Sequence, residues 1–352
     1  MNIKITGTGS YIPTQIVPNL DFENHEFLNE DGTPFPHSNE VIAEKFREIT
    51  GIEERRYISD DLNTSDVATI AAQRAIADAR LDAETLDYII VAHNFGDVKK
   101  GAIQGDMLPS LASKVKHNLR IKNPKCVAYD MLFGCPGWLE SFIQANAFIK
   151  AGMAKKCLVI GAEALSRVVD PHDRDSMIYS DGAGATIVEA TNDEGGILAH
   201  ESASYTYDEA NYLFFGKSFN TSHDPDVRYI KMHGRKIYEF ALREVPKGMA
   251  TCLENSGVNI NQVKKILIHQ ANEKMDEAIL QRFYKLYKME VPADIMPMSI
   301  HKLGNSSVAT IPTLYDMLIK GDLENHALVK GDIVLFASVG AGMNINAMVY
   351  QI

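Results

Sequence analysis

Short continuous apolar runs alternate along this chain with longer segments whose small and apolar positions recur every three or four residues. The runs read as strands buried on both faces and the segments between them as covering helices, an α/β arrangement. Residues 3–8 open as a strand. Asn63-Thr64-Ser65 supply N-cap chemistry ahead of the periodic set Ala68, Ala71, Ala72, Ala75, Ile76 and Ala79, so a helix starts there. Tyr88-Ile-Ile-Val-Ala92 is the next strand. A helix over 108–119, a strand over 126–130, a helix over 135–150 and a strand over 157–160 follow.

The order then repeats. The run from Leu81 to Val91 is echoed by Val258 to Ile268, each a short polar turn feeding an apolar strand. Lys155–Ala162 is echoed by Lys330–Ala337. Internal duplication accounts for both echoes; chance likeness between two ordinary αβ units is the competing account. The join falls near Asn192-Asp193-Glu194-Gly195-Gly196, giving halves at 1–192 and 193–352. Two stretches escape the pattern: 19–39, read as an inserted loop, and 205–230. Long loops of this kind serve either as binding loops or as surface decoration.

Composition adds limits. With 352 residues and 45% hydrophobic content the chain can bury a large core, and a net charge of −11 argues against a general nucleic-acid surface. Cys126, Cys135, Cys157 and Cys252 form no CxxC and have no adjacent His pair, so no metal site is expected. No apolar run approaches the roughly 20 residues of a membrane span. Met1–Ile5 moves straight into a strand pattern without a leader, so a cytoplasmic location is expected.

Three places carry chemistry. In Asp130-Met-Leu-Phe-Gly-Cys135-Pro-Gly, a strand gives way to a helix, and Pro136 suits the first turn. A thiol there meets the positive end of the helix dipole, which favours thiolate, and nearby N–H groups can hold an oxyanion. A buried structural cysteine is the plainer account. Ile266-Leu-Ile-His269-Gln-Ala-Asn272 ends a strand in a histidine, at the sheet end where α/β folds place ligands. A satisfied structural histidine is again the plainer account. His301-Lys-Leu-Gly-Asn305-Ser-Ser reads by itself as a turn. The glycine loops Ser180-Asp-Gly-Ala-Gly-Ala185 and Val339-Gly-Ala-Gly-Met343 lack GxGxxG and read as close backbone packing rather than nucleotide sites.

Together these elements resemble the β-ketoacyl-[acyl carrier protein] synthase III family. The likeness covers nearly the whole chain, through Gly7-Thr-Gly-Ser-Tyr-Ile-Pro, Thr50-Gly-Ile-Glu-Glu-Arg-Arg56, Thr64-Ser-Asp66, Leu108-Pro-Ser-Leu-Ala-Ser, Asp170-Pro-His-Asp-Arg174, His269-Gln-Ala-Asn272 and Gly304-Asn-Ser-Ser307. The resemblance implies a thiolase fold, two βαβαβαββ halves, each with a five-stranded sheet, stacked in five αβαβα layers. It implies a decarboxylative condensation in which an acyl primer on Cys135 is attacked by a malonyl-carrier enolate. His269 and Asn305 would stabilise that enolate, and the backbone N–H groups of Cys135 and Ala341 would hold the oxyanion. Arg167, Asn272, Val339 and Gly340 would contact substrate, and Lys274, Arg282 and Lys285 would dock an acidic acyl carrier protein. No cofactor is implied; the substrates are coenzyme A or carrier thioesters, and the protein would be a homodimer.

The chain also departs from the family. Lys45 and Ile49 stand where a Trp and an Arg clasp the coenzyme A adenine, Val339 replaces a Phe near the nucleophile, and Glu239 replaces a basic residue. A lysine does not stack as an indole does, and an isoleucine offers a phosphate no charge. A primer other than acetyl-CoA is expected, longer or carrier-bound. The alternatives are a related condensation in polyketide or pigment synthesis, a Cys-His hydrolase, and a non-catalytic carrier-binding partner. Partners of the last kind usually lack the nucleophile, which is present here.

Overall fold

The computed structural model describes residues 2–352. Its first sheet has five strands, in the order Asn2–Tyr11, Asp181–Thr191, Lys156–Ala164, Tyr88–His93 and Val127–Leu132. The last three run parallel and the first two join antiparallel. The second sheet repeats this pattern with Gly196–Ser204, Asn344–Gln351, Ile333–Gly340 and Val263–Ile268.

Three apolar cores stack these sheets into five layers. Helices Thr64–Asp78 and Leu111–Asn118 cover the outer face of the first sheet through Ala68, Ala71, Ala75, Leu111 and Val115. Helices Gly234–Ser256 and Glu273–Leu286 cover the second through Phe240, Met249, Ile279 and Phe283. Between the sheets lie Gly137–Lys150 and Thr310–Lys320, whose Trp138, Phe142, Leu314 and Tyr315 pack against Val159 and Val188 on one side and Phe336 and Met348 on the other. This is the thiolase fold.

The first helix sits very close to its strand. A methyl group added at Gly9 would lie 2.4 Å from the Ala75 nitrogen, and one at Gly7 2.5 Å from the Ala75 oxygen. Overpacking of that kind costs about 1–3 kcal/mol, so glycine on the strand and alanine on the helix set the spacing together. Asp66 accepts from the N–H of Asn63 at 2.9 Å, securing the helix start.

The second sheet has four regular strands among the described residues rather than five. The missing strand's place falls to the segment around Ile295, whose carbonyl accepts from the Ile266 N–H at 2.8 Å. Pro292 and Pro297 bracket that segment, and a residue without an N–H cannot continue a ladder.

Both irregular stretches turn out to be packed. Residues 19–39 place Phe22 and Phe27 against Val17, Ile42 and Met177. The buried Arg55 guanidinium ties them down, donating to Val17 O, Met177 O and Asn19 Oδ1. Residues 205–230 yield strand Leu213–Gly216, paired antiparallel with Tyr229–Met232. A buried ion pair anchors it: Lys231 Nζ lies 2.6 Å from Asp170 and 2.9 Å from Asp173.

Candidate active site

The turn carrying Cys135 leaves strand Val127–Leu132, closes with Gly137 N–H donating to Gly134 O at 2.7 Å, and enters helix Gly137–Lys150. The loop after strand Ile333–Gly340 lies directly on it. A methyl group at Gly340 would sit 2.5 Å from the Cys135 nitrogen, and one at Gly134 2.5 Å from the Ala341 nitrogen. Only glycine at both positions permits this approach, which sets the Cys135 and Ala341 backbones side by side.

His269 follows strand Val263–Ile268, and its N–H donates to Ala337 O at 2.9 Å. Its Nδ1 is buried without a partner, leaving Nε2 as the nitrogen that reaches the cavity. Burial lowers its pKa to about 4, so the ring is neutral at physiological pH. The rest of the tetrad is positional. Gln270 clamps the 297–299 segment, donating to Pro297 O at 2.8 Å and accepting from Ser299 N–H at 2.9 Å. Asn272 caps helix Glu273–Leu286 through an Oδ1 that accepts from Met275 N–H at 3.0 Å. It lines the cavity, but its oxygen is already committed to that cap.

Asn305 is set by an unusual loop. Gly304 has φ 59° and ψ −156°, a region open essentially to glycine alone. Ser307 also has a positive φ, 54°. Asn305 Oδ1 accepts from Ser307 N–H at 2.8 Å. Only the oxygen can accept, so the amide orientation is fixed and Nδ2 is the free end. A backbone exchange with the first half holds the loop, Asn305 N–H to Ile178 O and Ser180 N–H to Asn305 O.

A hydrogen-bond chain not visible in the sequence converges on the thiol. Asn94 donates from its backbone N–H and its Nδ2 to Glu163 Oε2, at 2.9 and 2.6 Å. The same Nδ2 lies 3.2 Å from Ser307 Oγ, which donates to Cys135 Sγ at 3.4 Å. The sequence places the thiol where a helix favours thiolate. In the structure, burial outweighs that and pushes its pKa up to about 11; the Ser307 bond pulls the other way and the Glu163 charge adds to the rise. Burial also pushes the Glu163 carboxyl up.

Cys135, His269, Asn305, Ser307, Asn94, Val339, Gly340 and Ala341 line one cavity of about 1010 Å³. Both irregular stretches form its outer wall, through Phe35 and His37 and through Leu213, Phe214 and Phe215. Lys45 and Ile49 line it too, on helix Asn39–Thr50, a helix that the spacing of Ile42, Phe46 and Ile49 signals and that is missing from the expected elements. Arg167 does not join them. Its side chain donates to Ser59 O at 2.9 Å and lines a neighbouring hollow. Arg174 reaches the main cavity instead, with its guanidinium 4.6 Å from the Phe35 ring centroid. Lys274, Arg282 and Lys285 are exposed on helix Glu273–Leu286, whose N-terminal Asn272 and Met275 edge the cavity.

Among the described residues, no helix is long and apolar enough to cross a membrane, and no group of three or more His, Cys, Asp or Glu forms a metal cluster. Cys126, Cys157 and Cys252 are buried, and Cys135 is partly exposed.

The family described as 3-oxoacyl-[acyl-carrier-protein] synthase III matches residues 129–206, and its C-terminal counterpart matches 253–352. The chain is 31% identical over 349 residues to β-ketoacyl-[acyl-carrier-protein] synthase III of Bacillus pumilus, covering 99% of this chain and 98% of that protein. The Staphylococcus aureus protein of the same name is 31% identical over 350 residues, covering 99% of this chain and 98% of that protein. The crystal structure of 3-oxoacyl-[acyl-carrier-protein] synthase III from Aquifex aeolicus superposes with a TM-score of 0.81 at 30% identity, over 99% of this chain and 100% of that one. With its fold and full length matched in this way, the chain belongs to the 3-oxoacyl-[acyl-carrier-protein] synthase III family.

Proposed function

We propose that this chain is a condensing acyltransferase of the fatty-acid initiation type, with Cys135 as nucleophile and His269 and Asn305 as enolate-stabilising donors. The observation that carries the reading is the convergence on one cavity of three side chains from three separate elements, two of them neutral donors. The Cys135 sulfur attacks the primer thioester carbonyl, and its proton passes to the departing thiol. The tetrahedral oxyanion lies against the N–H groups of Cys135 and Ala341. Malonyl-carrier then binds with its thioester oxygen toward His269 Nε2 and Asn305 Nδ2, and its carboxylate leaves as carbon dioxide. The resulting enolate carbon attacks the acyl-Cys135 carbonyl. The product 3-oxoacyl-carrier departs, and the Cys135 sulfur takes up one proton.

Neutral donors suit this chemistry, because an imidazolium would protonate the carbanion. The reaction as written needs no metal or redox cofactor. An acidic carrier would dock on Lys274, Arg282 and Lys285, with Lys45, Arg235 and Lys236 at the cavity wall adding positive charge. A homodimer would cover the open edge strand Val127–Leu132 and the exposed Leu108 and Leu132. The setting would be the cytoplasm, where thiols stay reduced.

Intact-mass spectrometry after incubation with a panel of acyl-CoA and acyl-carrier thioesters tests the reading. An adduct in wild type that is lost in Cys135→Ala supports it. No adduct from any donor removes Cys135 from its role.

A further inference from the structure

The two irregular stretches meet at His172. Its carbonyl accepts from the Leu28 N–H at 2.9 Å, and its Nδ1 lies 2.9 Å from the Glu26 carbonyl oxygen, both on the 19–39 stretch. Its Nε2 lies 3.3 Å from the Asn220 amide nitrogen, on the 205–230 stretch. The turn at Gly32 packs on the same partner: a methyl group there would sit 3.2 Å from Thr221 Cγ2 and 3.3 Å from Phe219 O. These are the stretches that wall the cavity, one through Phe35 and His37, the other through Leu213, Phe214 and Phe215.

The hydrogen bonds admit one protonation state. A carbonyl only accepts, so His172 Nδ1 carries a proton and donates to Glu26 O. Asn220 Oδ1 accepts from the Ser222 N–H at 3.0 Å and from the Ser222 hydroxyl at 2.6 Å, which fixes the amide with Nδ2 toward the imidazole. His172 Nε2 is therefore the acceptor, a role that only the neutral ring offers. A second proton would set one donor against another.

The surroundings add to this conflict. His223 packs edge-on against the His172 ring, with centroids 4.8 Å apart. His25 donates to Pro171 O at 3.3 Å. Burial lowers the His25 pKa, the Pro171 bond draws it back up, and charge on His172 lowers it again, so the two rings oppose each other's protonation. Asp170, which accepts the His172 N–H, and Asp173 are taken up by Lys231. Glu26 pulls the other way, its carboxylate 3.6 Å from His172 Nδ1, but it is largely exposed and such a pair contributes little.

We infer that His172 is a proton-sensitive joint: neutral, it binds the 19–39 and 205–230 stretches together and closes the outer wall of the cavity; protonated, it releases Asn220 and lets that wall open. The joint acts on access to the cavity and is independent of the acyl chemistry at Cys135.

Amide exchange, corrected for its intrinsic pH dependence and referred to strand Ile333–Gly340, tests the joint between about pH 7.5 and about pH 5.5, the range in which histidines take up charge. In wild type, opening of 26–33 and 218–223 is expected to rise about fivefold at the lower pH, the effect of losing one ordinary hydrogen bond. His172→Gln keeps a donor for Glu26 and an acceptor for Asn220 but cannot titrate, and is expected to abolish the rise. Asn220→Asp turns the facing donor into an acceptor, so acid tightens the joint and the response is expected to change sign. The ratio of Cys135 labelling rates by a bulky maleimide and by iodoacetamide, in which titration of the thiol cancels, is expected to follow the exchange in all three proteins. Exchange in wild type that does not change with pH overturns the joint, as does a rise that survives in His172→Gln or keeps its sign in Asn220→Asp. A labelling ratio that stays constant while exchange follows the expected pattern overturns its hold on the cavity.

Discussion

Ser307 Oγ lies 3.4 Å from Cys135 Sγ with its proton directed at the sulfur, because its acceptor side faces the Asn94 amide 3.2 Å away. A donor fixed in this way favours thiolate over thiol, against burial that holds the pKa near 11. Hydrogen bonds to a charged group contribute about 1.5–3 kcal/mol. Ser307→Ala should therefore raise the thiol pKa by about one unit or more. Rates of Cys135 alkylation by iodoacetamide across pH check this. Asn94→Ala should shift the profile in the same direction by freeing the serine rotor. A profile unmoved in both variants would show that the chain from Glu163 does not act on the sulfur.

The His269 ring, held neutral by burial with its pKa lowered to about 4, sets a second expectation. Decarboxylation of malonyl-carrier should show no inflection near pH 6.5, where an exposed histidine titrates. The sign for stability follows from proton binding. The unfolded chain protonates this histidine below about 6.5 while the folded chain does not. Its contribution is therefore complete above that pH and is lost as pH falls toward 4. Over that window the loss amounts to about 3 kcal/mol. His269→Gln, which cannot titrate, should lose less stability than wild type between pH 7 and pH 4.5 in urea unfolding. Equal losses would place the acid sensitivity elsewhere.

Asn305 separates the two half-reactions. Asn305→Asp keeps an oxygen to accept the Ser307 N–H but removes the Nδ2 donor. Cys135 acylation should continue, while malonyl decarboxylation falls by about 10²–10³, the loss associated with one oxyanion-type donor. Single-turnover assays that follow the adduct and carbon dioxide separately make the measurement. A parallel loss in both steps would mean that Asn305 holds the loop rather than the enolate.

The parts of the molecule legible in the sequence were those fixed by short-range rules. Alternating apolar runs gave the strands, Asn63 gave a helix start, and the echo between 81–91 and 258–268 gave the duplicated sheets. The glycine loops were read as close packing, and Gly184, where a methyl would lie 2.7 Å from Pro312 Cβ, is packed that way. The rest depends on contacts between distant residues. Nothing near Asn94 in the sequence marks its amide as a link between Glu163 and Ser307, which lie 69 and 213 positions away. Helix Asn39–Thr50 escaped notice although Ile42, Phe46 and Ile49 recur on it at helical spacing. Arg167 and Arg174 sit in one polar stretch, and only the tertiary fold directs the second to the cavity and the first away.

The buried Lys231 links the hairpin that walls the cavity to the Asp170-Pro-His-Asp segment. Its ammonium contacts Asp170 and Asp173 and lies 3.3 Å from the Phe219 ring centroid. Burial raises the Asp170 carboxyl, but Lys231 and the Phe219 N–H overcome that and hold it below the usual carboxylate range. Asp170 thus contributes stability above the unfolded carboxylate pKa, and this is lost as pH falls through the lower folded value. Lys231→Met removes the cation and leaves two carboxylates facing each other in a buried site, a change that costs about 3–5 kcal/mol. Urea unfolding at neutral pH should show that loss. Amide exchange should show faster opening of 213–216 and 229–232 than of the central strand Ile333–Gly340. If Lys231→Met unfolds at the wild-type urea midpoint, the ion pair does not anchor the hairpin, and the cavity wall must be held by its other contacts.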